Sequence, residues 1–235
     1  MKTPDITRRF VPPVAGMDLE QALNYTSADG VPLEWFYTSY TYPRTFYAPG
    51  SRPELERFLD APPAVAGEGN DGLSALVRRV YETVRHYSLL GFHGPKNRGF
   101  SEEELLRSGE GWCNEQARVL CVLAQICGWP ARLVFAGMRN RKGHVLVEIF
   151  HQGQWVLVDQ TAAYIFQTGD GRWANVLTMK TEAAAGISAR YHAALQAERE
   201  KAKSLKDWEI IVPYGMVDDP LELFFSVGYG NYFVH

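Results

Sequence analysis

"HVLVEIFHQGQWVLVDQT", residues 144–161, reads as two alternating apolar runs joined at Gln152–Gly153. Alternation puts successive side chains on opposite faces of a strand, and a two-residue connection folds the runs into an antiparallel hairpin. With that turn, His151 faces Gln154, His144 lies opposite Thr161, and Asp159 lies opposite Leu146. All four of the last-named side chains share a face. His144 and Asp159 are therefore diagonal neighbours, about 7 Å apart between their backbones and within side-chain reach. A four-residue turn over 151–154 keeps this register, whereas an odd-length turn would separate the two residues.

Working outward, "ARLVFAGM" (131–138) reads as a third antiparallel strand. Before it, Cys113 to Cys127 form one apolar helix, closed by Gly128 with Pro130 beyond. The chain enters this helix through Gly109, Gly111 and Trp112. A helix N-terminus carries unpaired N–H groups and partial positive charge, which stabilise a thiolate and could hold an oxyanion. Cys113 is thus the candidate nucleophile. Gly109 and Gly111 would let the chain and a substrate approach its sulfur, and Trp112 would wall the cleft. Cys121 and Cys127 are read as mid-helix thiols that behave as small hydrophobes.

Upstream, Leu73, Leu76, Val77, Val80, Val84 and Tyr87 follow helical spacing, giving an amphipathic helix over 73–89 that "GFHGPKNRG" (91–99) breaks. Tyr87 is a core-facing position first and a candidate oxyanion donor second. Ser101 with Glu104 is a capping box that opens a helix over 102–108. The aromatic segment 34–50 suggests a strand or extended strip around Tyr40 and Tyr42. A short helix follows Pro53 through "ELERFLD", and 61–72 is a loop. Downstream come a helix at roughly 181–205, a further strand over 208–214, and an aromatic tail, 222–235, with no assigned element. The layout is α+β. Residues 1–70 form an N-terminal extension packed on the core, 71–170 the core, and 171–235 the helix and tail completing a single domain.

Arg132 and Glu148 read as an ion pair across neighbouring strands, Trp155 as a core aromatic, and Arg139–Lys142 as a solvated hairpin turn. The net charge of −3 argues against nucleic-acid binding. The N-terminus lacks an apolar signal region, and no run reaches the roughly 18 apolar residues of a membrane span. A cytoplasmic protein with no membrane partner is expected. The three cysteines all lie in one helix, so reduced thiols are expected rather than a disulfide framework. With no C-x-x-C and six scattered histidines, no metal site is expected.

Taken together, Gly111-x-Cys113, Ala117, Gly128-x-x-Ala131-Arg132, His144 with Glu148, Gly153-x-Trp155 and Val158-Asp159 resemble the transglutaminase-like superfamily. The resemblance covers residues 73–170. It implies a papain-like core in which a nucleophile helix packs on an antiparallel sheet. Cys113 would be the nucleophile, His144 the general base and acid, and Asp159 the orienting carboxylate. Where the family often has Pro after the Asp, this chain has Gln160. The implied activity is cysteine-dependent acyl transfer on an amide of a peptide or protein through an acyl-thioester, without metal or organic cofactor. Water is the favoured acceptor and an amine the other. The alternative is a non-catalytic module that binds peptide or a partner protein. Arylamine N-acetyltransferases share the logic, but their Arg-Gly-Gly approach to the cysteine is absent, as are the zinc-binding cysteine pairs of peptide N-glycanases.

Overall fold

The computed structural model of the chain describes residues 25–27, 33–37, 47–60, 70–86, 99–137, 143–181, 184–204 and 226–230. These form five α-helices: α1 (Pro53–Asp60), α2 (Asn70–Thr83), α3 (Glu102–Ser108), α4 (Cys113–Ile126) and α5 (Ala184–Ser204). The strands are β1 (Tyr25–Ser27), β2 (Arg85–His86), β3 (Glu110–Gly111), β4 (Ala131–Gly137), β5 (Gly143–His151), β6 (Gln154–Asp159), β7 (Tyr164–Ile165) and β8 (Ser226–Gly230). Six strands make one sheet in the order β1-β8-β4-β5-β6-β7, antiparallel at every pairing. The architecture is α+β.

The central hairpin has the register that the alternation dictates. His151 pairs with Gln154, Phe150 with Trp155 and Val147 with Val158. Gln152 and Gly153 both take positive φ, 50° and 80°, so the turn twists with the strands it joins. The period of two then sorts the side chains. Val147, Ile149, Val156 and Val158 pack in one core cluster with Leu120, Cys121 and Leu123 of α4 and Leu73, Leu76 and Val80 of α2. Leu146 and Leu157 pack on the opposite face with Phe166, Ile187, Tyr191 and Tyr229. Both faces of the sheet are therefore covered, and α4 lies almost wholly inside.

Arg132 and Glu148 face each other in β4 and β5 and are fully buried. Two hydrogen bonds from the guanidinium reach Glu148 Oε2, at 2.9 and 2.7 Å. The other carboxylate oxygen accepts from the Tyr37 hydroxyl at 2.7 Å and the Val176 N–H at 2.9 Å. The guanidinium also lies over the rings of Trp155 and Tyr229, at 4.1 and 4.4 Å. This pair gathers segments from both ends of the chain onto the sheet. Trp155 is a core aromatic, 3% exposed.

α1, α3 and the Ser101–Glu104 capping box are present as the sequence indicates. Several expectations need correction. The helix expected over 73–89 begins at Asn70 and ends at Thr83. Arg85–His86 instead pairs in parallel with Glu110–Gly111, because Gly109 O accepts from Arg85 N–H at 2.8 Å. Val84 keeps the helical spacing without continuing the helix. The early start of α2 also takes the last residues from the loop expected over 61–72. Within the strip expected over 34–50, residues 34–37 belong to a 3₁₀ turn, Leu33–Tyr37, and Tyr40 and Tyr42 lie outside the described residues. The downstream helix, expected at about 181–205, spans Ala184–Ser204. Cys127 is the C-cap of α4 rather than a mid-helix residue. Within the unassigned aromatic tail, Ser226–Gly230 is a strand inserted between β1 and β4. The strand expected over 208–214, the Arg139–Lys142 loop and Tyr87 fall outside the described residues. Among the described residues no helix is long and apolar enough to cross a membrane.

Candidate active site

Cys113 is the first residue of α4, and Trp112 is its extended N-cap, at φ −84° and ψ 176°. The Trp112 N–H donates to Glu115 Oε2 at 3.1 Å, fixing the entry to the helix. The glycines before it have packing reasons. Gly109 is the left-handed C-cap of α3, at φ +71°. Gly111 is buried, and a Cβ there would stand 2.7 Å from the Cβ of Glu115. Their missing side chains are thus required by the junction of α3, β3 and α4. Trp112 is half-buried, and its ring meets the buried His86 edge-on at 5.3 Å.

His144 and Asp159 come together as the register requires. His144 Nε2 lies 3.1 Å from Asp159 Oδ1, with both side chains almost fully buried. They share the face of Leu146 and Leu157, so the α5 side of the sheet backs them. The Cys113 side chain, at the tip of α4, also acts on the ring and favours its protonated form. The imidazole thus has Asp159 on its Nε2 side and the Cys113 thiol close enough to influence its charge.

The electrostatics follow from that order. Burial alone pulls the pKa of His144 down; the charge and hydrogen bond of Asp159, with the Cys113 sulfur, outweigh it and hold the ring above its ordinary value. For Asp159, burial pushes up, but His144, Tyr191 and the Thr161 N–H overcome it and hold the carboxyl below its usual range. The other two thiols differ. Burial drives Cys121 far above the ordinary thiol range and pushes Cys127 up to about 11.

Residues beyond the sequence reading complete the arrangement. Gln160 Nε2 donates to the carbonyls of Cys113 at 3.0 Å and Val145 at 2.9 Å, tying the start of α4 to the strand that carries His144. The Thr161 N–H donates to Asp159 Oδ1 at 2.9 Å, and its hydroxyl donates to Gln116 Oε1 at 2.9 Å. Gln116 in turn donates to Val84 O at 2.7 Å. From α5, the Tyr191 hydroxyl donates to Asp159 Oδ2. The sequence position of Gln160 and Thr161, directly after Asp159, was a usable signal. Tyr191 had none.

The transglutaminase-like superfamily model matches residues 60–160. Residues 60–160 are thus similar to that superfamily. Among solved structures, the chain is similar to a candidate cysteine protease from Cytophaga hutchinsonii, with 18% identity and a TM-score of 0.36 over 47% of this chain and 36% of that one. It is also similar to a TGase, with 14% identity and a TM-score of 0.36 over 53% of this chain and 33% of that one. The chain spans about a third of the length of either protein. No curated protein matches it. The matched core carries Cys113, His144 and Asp159; Thr161 and Tyr191 lie beyond it.

Proposed function

We propose that the protein is a cysteine-dependent acyl-transfer enzyme acting on an amide of a peptide or protein-like substrate. The observation that carries this is the imidazole of His144, held 3.1 Å from Asp159 Oδ1 and acted on by the Cys113 side chain. In the first step His144 takes the Cys113 proton, and Asp159 stabilises the imidazolium and fixes its orientation. The thiolate attacks the amide carbonyl carbon, and the carbonyl electron pair moves to oxygen. The positive end of α4 favours that charge. As the C–N bond breaks, His144 returns the proton to the leaving amine, and an acyl-thioester remains on Cys113.

In the second half His144 removes a proton from the acceptor, which attacks the thioester and releases the Cys113 thiol. Water gives a carboxylic acid and an amine gives a new amide. Hydrolysis is the favoured outcome, since water needs no second binding site.

Intact-mass trapping tests this reading with a panel of peptide amides, on wild type and on Cys113→Ala. A mass increase equal to the acyl group is expected on wild type and none on Cys113→Ala. An adduct that survives the substitution rejects the nucleophile. If the wild type binds the peptides and forms no adduct, the protein is instead a peptide-binding module.

A further inference from the structure

We propose that Tyr191 is a positioning residue for the orienting carboxylate: its hydroxyl, delivered by α5, holds Asp159 aimed at His144. The inference rests on the roles proposed above for Cys113, His144 and Asp159, and it adds a residue outside the matched core.

Asp159 is 1% exposed, so its carboxylate must satisfy its lone pairs within the protein. Among the described residues three donors reach it. His144 Nε2 and the Thr161 N–H share Oδ1, and Tyr191 alone serves Oδ2. The carboxyl torsion of an aspartate is broad and soft. Donors on both oxygens fix the plane of the group; donors on Oδ1 alone would leave it free to turn and would leave a buried acceptor unmet.

The tyrosine is itself held. Its ring packs at 4.8 Å from Phe166 and 5.1 Å from Tyr164, and those two rings meet edge-on at 5.0 Å. On α5, Ala184, Ile187, Ser188 and Tyr191 are buried while most of their neighbours are not. The helix thus presses one narrow line against the sheet, and Tyr191 stands on that line. The long polar helix has a local task, which is to bring one hydroxyl to one carboxylate.

The hydroxyl also sets basicity. A donor on Oδ2 takes up part of the negative charge that would otherwise act on the imidazolium. The titratable groups bearing on Asp159 are His144 from β5 and Tyr191 from α5, with the Cys113 sulfur beyond the ring on α4. Removing the hydroxyl leaves the carboxylate charge less shared, so the imidazolium holds its proton to higher pH.

The variant is Tyr191→Phe, which keeps the ring packed; Tyr164→Phe, in the same aromatic cluster, is the control. The first measurement is the NMR titration of His144 in histidine-labelled protein, with circular dichroism to establish folding. Tyr191→Phe should raise the His144 midpoint by about one pH unit, on the scale expected for a hydrogen bond to a buried charge. Tyr164→Phe should leave it in place. A Tyr191→Phe midpoint that is unmoved or lowered in folded protein overturns the inference. The second measurement is the pH profile of Cys113 alkylation by iodoacetamide. Its alkaline limb should move up with the His144 midpoint, and a limb that stays put also overturns the inference. If wild-type Cys113 reacts no faster than Cys127, it is the catalytic reading that fails, while the His144 titration still decides the role of Tyr191.

Discussion

The side-chain amide of Gln160 donates to the backbone carbonyl of Cys113 at 3.0 Å, and the same nitrogen donates to Val145 O at 2.9 Å. One buried side chain thus bridges the first turn of the nucleophile helix and the residue after His144. With the hydrophobic packing of α4, this bridge ties the start of that helix to the strand of His144. Gln160→Leu leaves the Cys113 carbonyl without that donor, at a cost of roughly 1–3 kcal/mol. Urea unfolding should show the lower stability. Cys113 alkylation in the folded variant should slow while Cys127 is unchanged. Unaltered Cys113 reactivity would show that the bridge does not position the sulfur.

The three thiols should separate kinetically. Burial holds Cys121 far above the ordinary range and Cys127 at about 11, so both stay protonated near neutral pH. Cys113 stands beside an imidazole whose proton affinity is raised. Peptide mapping after brief iodoacetamide treatment at pH 7 should find label on Cys113 first. His144→Ala should abolish that preference. Equal slow labelling of all three would contradict the arrangement.

The His144–Asp159 pair gives stability a defined pH window. The folded pKa of His144 is raised from 6.5, so its contribution is full below 6.5 and fades as pH rises towards the folded value. The folded pKa of Asp159 is lowered from 3.8, so its contribution is full above 3.8 and fades as pH falls through the folded value. Both are present together between 3.8 and 6.5. Urea midpoints measured against pH should show a wild-type advantage over His144→Gln that is largest in this window and shrinks in alkali. An advantage that grows above pH 7 would reverse the assignment.

Glu148 should be among the costliest positions to alter. Its carboxylate takes two hydrogen bonds from Arg132 and one each from Tyr37 and Val176. Glu148→Gln removes the counter-charge from a buried guanidinium, a change that costs about 3–5 kcal/mol. Thermal unfolding should record a large loss of stability. A shift of only a degree or two would mean that the ion pair is not needed.

Local chemistry made much of this readable in advance. The period of two over 144–151 and 154–160, with a two-residue turn at Gln152–Gly153, placed His144 beside Asp159, because turn length fixes the register and alternation puts both side chains on one face. The same alternation set Arg132 opposite Glu148 once β4 paired with β5. The Ser101–Glu104 box and the closing Gly128 marked helix ends because capping is settled within a few residues. Periodicity also misled, since Val84 keeps the helical spacing although the helix ends at Thr83 and the chain pairs as β2 from Arg85.

What the sequence by itself determined was therefore the face each element turns inward and the neighbours that one short turn can impose. Only the tertiary structure decided that the tip of α4 meets the ring of His144, that Gln160 joins them, that β8 enters the sheet between β1 and β4, and that Tyr191 arrives from α5. These contacts link residues 31 to 205 positions apart. Nothing local specifies such pairings, because they come from the simultaneous burial of both faces of the sheet, in which each element finds its partner only when the others are in place.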